Sequence, residues 1–384
     1  MAIPLEDLPQ MWQKPSYADL ADILQSLELQ PPVWNHRKRR DSAAVAAAAA
    51  QEAAESLASQ NKAQVTRYLS SIIKSPLAWI DSDDEKEQLW DQASKRMSER
   101  CGRAAMGDIV RRWPFDGGAD EGDATAAIAT YEPFELAIRE PGMTGAALGL
   151  KTWGSAYVLA RHLPLLGARS LFRLFDESMG QPPPRVLELG SGTGLLGVAA
   201  AALWKVDVAL SDLPGIVPNL KHNAERNEEV VEGRGGRLSV GPLTWGGEIG
   251  EEVDEELFGE PFQFPIVLVA DPLYFDDHPT LLASSISQNL ALGSESRAVV
   301  MVPKRDDTTR RLLAAFRQAM RDLDTPLICE EEDELPGQDD WVENETGGRI
   351  NCWLGVFSRG GTTPRSAATT LDGDEEEEGA SSSE

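Results

Sequence analysis

A loop with three glycines in five residues is the part of this chain best suited to hold a ligand. Gly190, Gly192 and Gly194 alternate with a serine and a threonine. Because glycine has no Cβ, ligand atoms can approach its backbone closely. The apolar run Val186–Leu189 before the loop indicates a buried strand, and Leu195–Trp204 after it indicates a helix whose first N–H groups face the ligand. The pattern predicts a nucleotide-like cofactor at the carboxyl end of a strand.

Two acidic residues refine this prediction. Glu188 precedes the glycine loop, and Asp212 ends a second predicted strand, Val206–Leu210. An acid about 20 residues beyond such a loop commonly binds ribose hydroxyls. The dinucleotide fingerprint needs a third glycine where this chain has Leu195, so the spacing does not favour a dinucleotide. A tight turn without a ligand is the alternative for the loop taken alone.

Three further segments carry candidate site residues. Trp153 begins a predicted helix and Trp245 follows a predicted strand, so each could wall a cofactor or simply pack in the interior. Asp271 leaves the apolar strand Ile266–Ala270 and is followed three positions later by Tyr274. Polar residues outside the carboxyl ends of strands line the ligand crevice of an open α/β sheet. A carboxylate there can orient an amine nucleophile, although Asp271 could instead cap the next helix.

Composition excludes several classes of protein. The 384 residues carry 63 acids against 36 bases, for a net charge of −27, which disfavours binding to a phosphate backbone. The cysteines at 101, 329 and 352 lie far apart, so neither a disulfide framework nor a metal site is expected. The start of the chain has no secretory pattern, and no apolar stretch is long enough to span a membrane. We expect a cytoplasmic protein, with the nucleus left open by the basic cluster at residues 36–40.

Strands and helices alternate from residue 131 onward, which predicts an α/β fold with a doubly wound, mostly parallel sheet. The predicted domains are a helical N-terminal extension at 1–130, an α/β domain at 131–359 and an acidic disordered tail at 360–384. Phe134–Ile138 alternates like a strand. The seven strands predicted after it are Val186–Leu189, Val206–Leu210, Arg237–Val240, Ile266–Ala270, Ala298–Val302, Leu327–Glu331 and Ile350–Phe357, the last one antiparallel.

Five segments in this order resemble the motifs of the seven-β-strand protein lysine methyltransferases of family 16, and within it the fungal elongation-factor lysine methyltransferases. They are Leu148–Ala156, Val186–Gly197, Ser211–Asn223, Leu243–Gly246 and Val269–Tyr274. The resemblance implies a class I methyltransferase fold, similar to the Rossmann fold, and S-adenosylmethionine as cofactor. The cofactor-binding residues that it implies are Trp153, Glu188, Gly190, Ser191, Gly192, Asp212, Trp245 and Ala270.

The resemblance also implies that Asp271 and Tyr274 are catalytic, the aspartate orienting a lysine ε-amine and the tyrosine walling its pocket. It implies a protein substrate, an elongation factor or a similar cytosolic protein, and we expect a monomer. The sequence Asp-Pro-Leu-Tyr departs from the family toward the Asp-Pro-Pro-Tyr of enzymes that methylate adenine or glutamine. An amino methyltransferase acting on nucleic acid or a small molecule, and a scaffold that binds cofactor without catalysis, therefore stay open. Only His278 among the histidines could serve there as a base.

Overall fold

The structure is a computed structural model that describes residues 8–28, 63–101, 107–117, 130–142, 148–176, 178, 180, 182–338 and 349–360. The basic cluster at residues 36–40 lies outside these ranges. So does the predicted acidic tail, apart from residue 360.

Three helices near the N-terminus share a small apolar core. They are α1 (Tyr17–Ser26), α2 (residues 63–74) and α3 (Asp83–Ser98). Leu20 and Leu24 from α1, Leu69 and Ile72 from α2, and Leu89 from α3 are buried in this cluster. The side chains of Ser16 and Ser82 cap α1 and α3 by accepting hydrogen bonds from backbone N–H groups in their first turns, which fixes where these helices begin.

A β-hairpin connects this region to the rest of the chain. Strand β1 (Ile109–Phe115) pairs antiparallel with β2 (Phe134–Glu140). The segment predicted as a helical extension, residues 1–130, thus contains a strand, and its side chains Trp113 and Phe115 join the core of the α/β region. Its alternation was hidden because an inward-facing position holds Arg111, which forms an ion pair with the buried Glu140.

Seven strands of the described ranges form one sheet. They are β3 (Val186–Leu189), β4 (Asp207–Asp212), β5 (Arg237–Pro242), β6 (Ile266–Ala270), β7 (Arg297–Pro303), β8 (Leu327–Gln338) and β9 (Arg349–Arg359). Their order is β5–β4–β3–β6–β7–β9–β8. The first five are parallel neighbours, and β9 lies antiparallel between β7 and β8. The predicted α/β fold with its doubly wound, mostly parallel sheet is confirmed, as is the antiparallel last strand.

Helices cover both faces of the sheet. The helices are α4 (Gly154–Ala168), α5 (Leu195–Trp204), α6 (Val217–Arg226), α7 (Glu228–Gly233), α8 (Glu255–Phe258), α9 (His278–Asn289) and α10 (Asp307–Arg321). Along β3, Val186 lies in the same apolar cluster as residues of α4 and α5, while Leu187 lies in a second cluster with residues of α9 and α10. This alternation is what a strand buried on both faces requires. In the part of the chain that the structure describes, no helix is both long and apolar enough to cross a membrane.

Candidate functional site

The carboxyl ends of four parallel strands meet at one edge of the sheet. Strands β4 and β5 lie on one side of β3 in the sheet, and β6 and β7 lie on its other side. A reversal of strand order of this kind opens a crevice where ligands bind in α/β folds. The groups that follow these strand ends are the glycine loop after β3, Asp212 at the end of β4, Asp271 after β6 and Arg305 after β7.

The glycine loop has a backbone that other residues adopt only under strain. Gly190, Gly192 and Gly194 have φ angles of 67°, 57° and 89°, all in the left-handed region. The N–H of Ser191 donates to the carbonyl oxygen of Ser211 at 2.8 Å, which ties the loop to β4. Gly190 and Gly192 stay half-buried, so part of their backbone remains accessible.

Glu188 lies beneath this loop. Its Oε2 accepts a hydrogen bond of 3.0 Å from the N–H of Gly197, in the first turn of α5. Burial raises the pKa of this carboxyl to about 8. The hydroxyl of Ser191 donates to the carbonyl oxygen of Glu188 at 3.2 Å and accepts from the N–H of Ser211 at 3.0 Å. Both predicted cofactor residues, Glu188 and Ser191, thus have buried side chains that hold the loop to its neighbours.

Asp212 and Trp245 flank the accessible side of the loop. Asp212 Oδ2 accepts from the N–H of Gly192 at 2.7 Å, and its Oδ1 accepts from the N–H of Leu213 at 2.7 Å. Burial raises the pKa of this carboxyl, and the two backbone N–H groups act in the opposite direction. Trp245 lies against Gly190, where an added Cβ would come within 3.2 Å of the indole ring. Loop, carboxylate and indole therefore form one continuous wall.

Trp153 lies across the edge from this wall, at the N-terminus of α4. Its indole Nε1 donates to the carbonyl oxygen of Leu148 at 3.2 Å, and its ring centroid is 6.0 Å from that of Tyr274. Two cations lie over the same ring, Lys151 Nζ at 4.7 Å and the guanidinium carbon of Arg305 at 4.9 Å from its centroid. Because cations over an indole are attracted by the ring, these contacts orient Trp153.

Asp271 is buried and held in an unusual conformation. Its φ is 56°, in the left-handed region, and its N–H donates to the carbonyl oxygen of Met301 in β7 at 2.9 Å. Aspartate tolerates this backbone better than most residues. Both carboxylate oxygens accept from Arg305, Oδ1 from Nη1 at 2.8 Å and Oδ2 from Nη2. Arg305 was not predicted as a site residue, although its position just after β7 matches that of Asp271 just after β6.

Tyr274 and His278 complete the edge. His278 Nδ1 lies 2.8 Å from the carbonyl oxygen of Pro272 and 3.3 Å from the backbone nitrogen of Tyr274. The imidazole packs edge-on against Trp245, with 5.6 Å between ring centroids. Since Nδ1 is engaged by the backbone of the 272–274 loop, the imidazole holds the loop that carries Tyr274. Ala270, at the end of β6, is half-buried beside them.

The chain is similar to known proteins over a stretch that includes these residues. A family model described as lysine methyltransferase matches residues 131–319. Protein-lysine N-methyltransferase EFM2 of Saccharomyces cerevisiae is 30% identical over 266 residues, which are 66% of this chain and 57% of that protein. Protein-lysine N-methyltransferase rrg1 of Schizosaccharomyces pombe is 26% identical over 268 residues, 70% of this chain and 72% of that protein. EEF1A lysine methyltransferase 3 of Mus musculus is 34% identical over 102 residues, 27% of this chain and 38% of that protein.

Residues 131–319 form a lysine methyltransferase domain. The resemblance stated from the motifs is thereby confirmed, and S-adenosylmethionine is the cofactor of such enzymes. The residues at the sheet edge fit this group. Accessible glycine backbone at 190 and 192 adjoins a half-buried carboxylate, Asp212, which suits ribose hydroxyls. Trp153 and Trp245 offer half-buried aromatic surfaces to an adenine or a sulfonium.

Proposed function

We propose that this protein transfers the methyl group of S-adenosylmethionine to the ε-amine of a lysine in another protein. The observation that carries the proposal is the position of Asp271 and Tyr274, which follow the end of β6 at the same sheet edge as the glycine loop. The family match includes these residues. Because the aligned part covers 57% of the yeast relative, the activity of the whole protein is part of the proposal.

The reaction needs alignment more than acid–base chemistry. S-adenosylmethionine supplies a methyl group on a positively charged sulfur. A bond forms between the lysine nitrogen and the methyl carbon, the bond from that carbon to sulfur breaks with its electron pair, and a proton leaves the nitrogen. In this proposal Asp271 orients the amine and Tyr274 walls the pocket, while water takes the proton. Proper placement of two reactants can supply a large part of such a rate.

The cofactor-binding residues of the proposal divide into two groups. Those that are half-buried would touch the cofactor, and they are Trp153, Gly190, Gly192, Asp212, Trp245 and Ala270. Glu188 and Ser191 would act from beneath by fixing the loop. We keep the division at residues 130 and 359 as part of the proposal, although β1 pairs across the first boundary.

We further propose that the substrate is a translation elongation factor or a similar cytosolic protein. The name of one relative, EEF1A lysine methyltransferase 3, states such a substrate for that protein. The net charge of −27 favours a basic protein as partner over a nucleic acid. We propose that the protein works as a monomer.

Methyl transfer to fractionated lysate tests the proposal. The protein is incubated with methyl-labelled S-adenosylmethionine and with lysate treated with either protease or ribonuclease. We expect label that survives ribonuclease and is lost with protease, and tandem mass spectrometry should assign it to a lysine of an elongation factor. Label in RNA would contradict a protein substrate. Cofactor binding with no label in any macromolecule would indicate a scaffold.

Two variants test the role of Asp271. We expect Asp271→Ala to lower the transfer rate by about 100-fold or more, because the amine loses its orienting partner, while S-adenosylhomocysteine still binds. Asp324→Ala, at an exposed position between α10 and β8, is the matched control and should keep full activity. Full activity of Asp271→Ala would remove Asp271 from the mechanism.

A further inference from the structure

The pair of Asp271 and Arg305 is the strongest charge–charge contact at the sheet edge. Arg305 donates to both carboxylate oxygens of Asp271 in a two-pronged arrangement. The Asp271 side chain is 2% exposed and that of Arg305 is 14% exposed, so water screens the pair only weakly. Bidentate arginine–carboxylate pairs are among the strongest and most directional hydrogen-bonded contacts in proteins. The carboxylate is therefore fixed, and its negative charge is offset where it lies.

A carboxylate without such a partner would oppose methyl transfer to lysine. Free lysine has a pKa of about 10.4, so its ε-amine carries a proton at neutral pH and has no electron pair to attack with. A lone buried carboxylate within about 4–6 Å stabilises the charged ammonium and raises its pKa by about 1–3 units. The residue that orients the amine would then also keep it protonated. A guanidinium on the same carboxylate cancels most of that effect.

Several other charged groups of the described residues near the edge have partners of their own. Asp306 caps α10 by accepting from Thr309, Lys304 pairs with Glu334, and Asp276 pairs with the exposed Arg311. Further charged or titratable groups lie on the elements packed around the Asp271–Arg305 pair. They are Lys151, whose Nζ lies over the Trp153 ring, Asp212 at the end of β4, Tyr274, and His278 at the start of α9. Arg305 is the cation that these contacts place directly on Asp271.

We propose that Arg305 is a positioning residue that offsets the charge of Asp271, so that the substrate lysine reaches the methyl donor as a neutral amine. The inference rests on the proposed lysine methyltransferase activity. In this arrangement Asp271 still accepts a hydrogen bond from the amine and orients it, while the net charge of the Asp271–Arg305 pair is close to zero. Trp153, on which the guanidinium also lies, links this charge balance to the wall of the cofactor site. Asp271 and Arg305 are 34 residues apart in the chain, and the pairing of β6 with β7 brings them together.

The test compares pH profiles of kcat from pH 7 to 10.5, measured with both S-adenosylmethionine and the methylated protein of the lysate assay at saturation, because kcat reports the pKa of the bound lysine. Arg305→Gln removes the charge and keeps a donor toward Asp271. The apparent pKa of the activity of this variant should be about 1–2 units higher than that of the wild type. Its activity should therefore be about 10- to 100-fold lower at pH 7.5 and should recover near pH 10. Arg305→Lys keeps the charge and should keep the wild-type pH profile. Arg311→Gln, which breaks only an exposed ion pair on α10, is the control and should change nothing.

The outcomes separate this inference from the proposed function. A profile of Arg305→Gln that runs parallel to the wild type, or activity that stays lost at pH 10, overturns the role of Arg305. The same shift in Arg305→Lys and Arg305→Gln also overturns it, because the positive charge is then not the cause. A wild-type protein that binds S-adenosylhomocysteine but methylates no lysine at any pH overturns the proposed function, and this inference falls with it.

Discussion

The buried carboxyl of Glu188 makes the stability of this protein depend on pH in an unusual direction. Glutamate normally has a pKa near 4.5, and burial raises that of Glu188 to about 8 in the folded protein. Between these two pH values the folded chain holds a proton that the unfolded chain has lost. The stabilisation is therefore fully present below pH 4.5 and is lost as the pH rises toward 8. Most proteins with ion-paired acids behave in the opposite way.

The size of the effect follows from the shift. Each unit of pKa difference corresponds to about 1.4 kcal/mol, so a rise from 4.5 to about 8 gives at most about 5 kcal/mol between acidic and alkaline conditions. Glu188→Gln copies the protonated acid, because its amide oxygen can still accept from the N–H of Gly197. We expect this variant to be a few kcal/mol more stable than the wild type at pH 8.5 and about equal at pH 5.

Thermal or urea unfolding followed by tryptophan fluorescence at pH 5, 6, 7, 8 and 9 measures this difference. The comparison of wild type with Glu188→Gln removes the slope that the large negative charge adds to both proteins. Glu251→Gln, at an exposed position, is the control and should follow the wild type. A stability difference that stays constant from pH 5 to pH 9 would show that Glu188 does not take up a proton on folding in this range.

Two substitutions test the scaffold of the site. Asn223 accepts from the N–H of Arg139 and donates to the carbonyl oxygens of Arg139 and Thr193. Asn223→Leu should therefore lower the free energy of unfolding by about 3 kcal/mol. A loss no larger than that of Asn351→Leu, at an exposed position, would contradict this role. Gly194→Ala places a Cβ 2.7 Å from Leu220 at a φ of +89°. This variant should lose about 1–3 kcal/mol of unfolding free energy and should bind S-adenosylhomocysteine more weakly. Gly215→Ala, with open space around its Cβ, should behave as the wild type.

The sequence sufficed for features that are encoded locally. The strand Val186–Leu189, the glycines after it and the helix Leu195–Trp204 are adjacent in the chain, and the structure has both elements with the same bounds. The alternation of strands and helices gave the parallel sheet, since short apolar runs between amphipathic helices leave few other topologies. The position of Asp212 and Asp271 at one edge follows from that topology alone.

Features that depend on distant partners could not be predicted. Strand β1 was missed because Arg111 occupies an inward position, and only its partner Glu140 makes that burial tolerable. Asn223 of α6 and Asn227, which follows that helix, bind the edge of β2 at Arg139 and Ala137, but their spacing also fits a helix exposed to solvent. Arg305 pairs with Asp271 because β6 and β7 are neighbours in the sheet, and no local sequence pattern predicts which strands pair.

Calorimetric titration with S-adenosylhomocysteine measures whether the sheet edge binds the cofactor, on which both the proposed reaction and the role of Arg305 depend. We predict saturable binding to the wild type at one site, with affinity retained in Asp271→Ala and weakened by about 10- to 100-fold in Asp212→Ala, which loses charge-assisted hydrogen bonds. Absence of binding heat with the folded wild-type protein, or equal affinity in Asp212→Ala, would contradict the site.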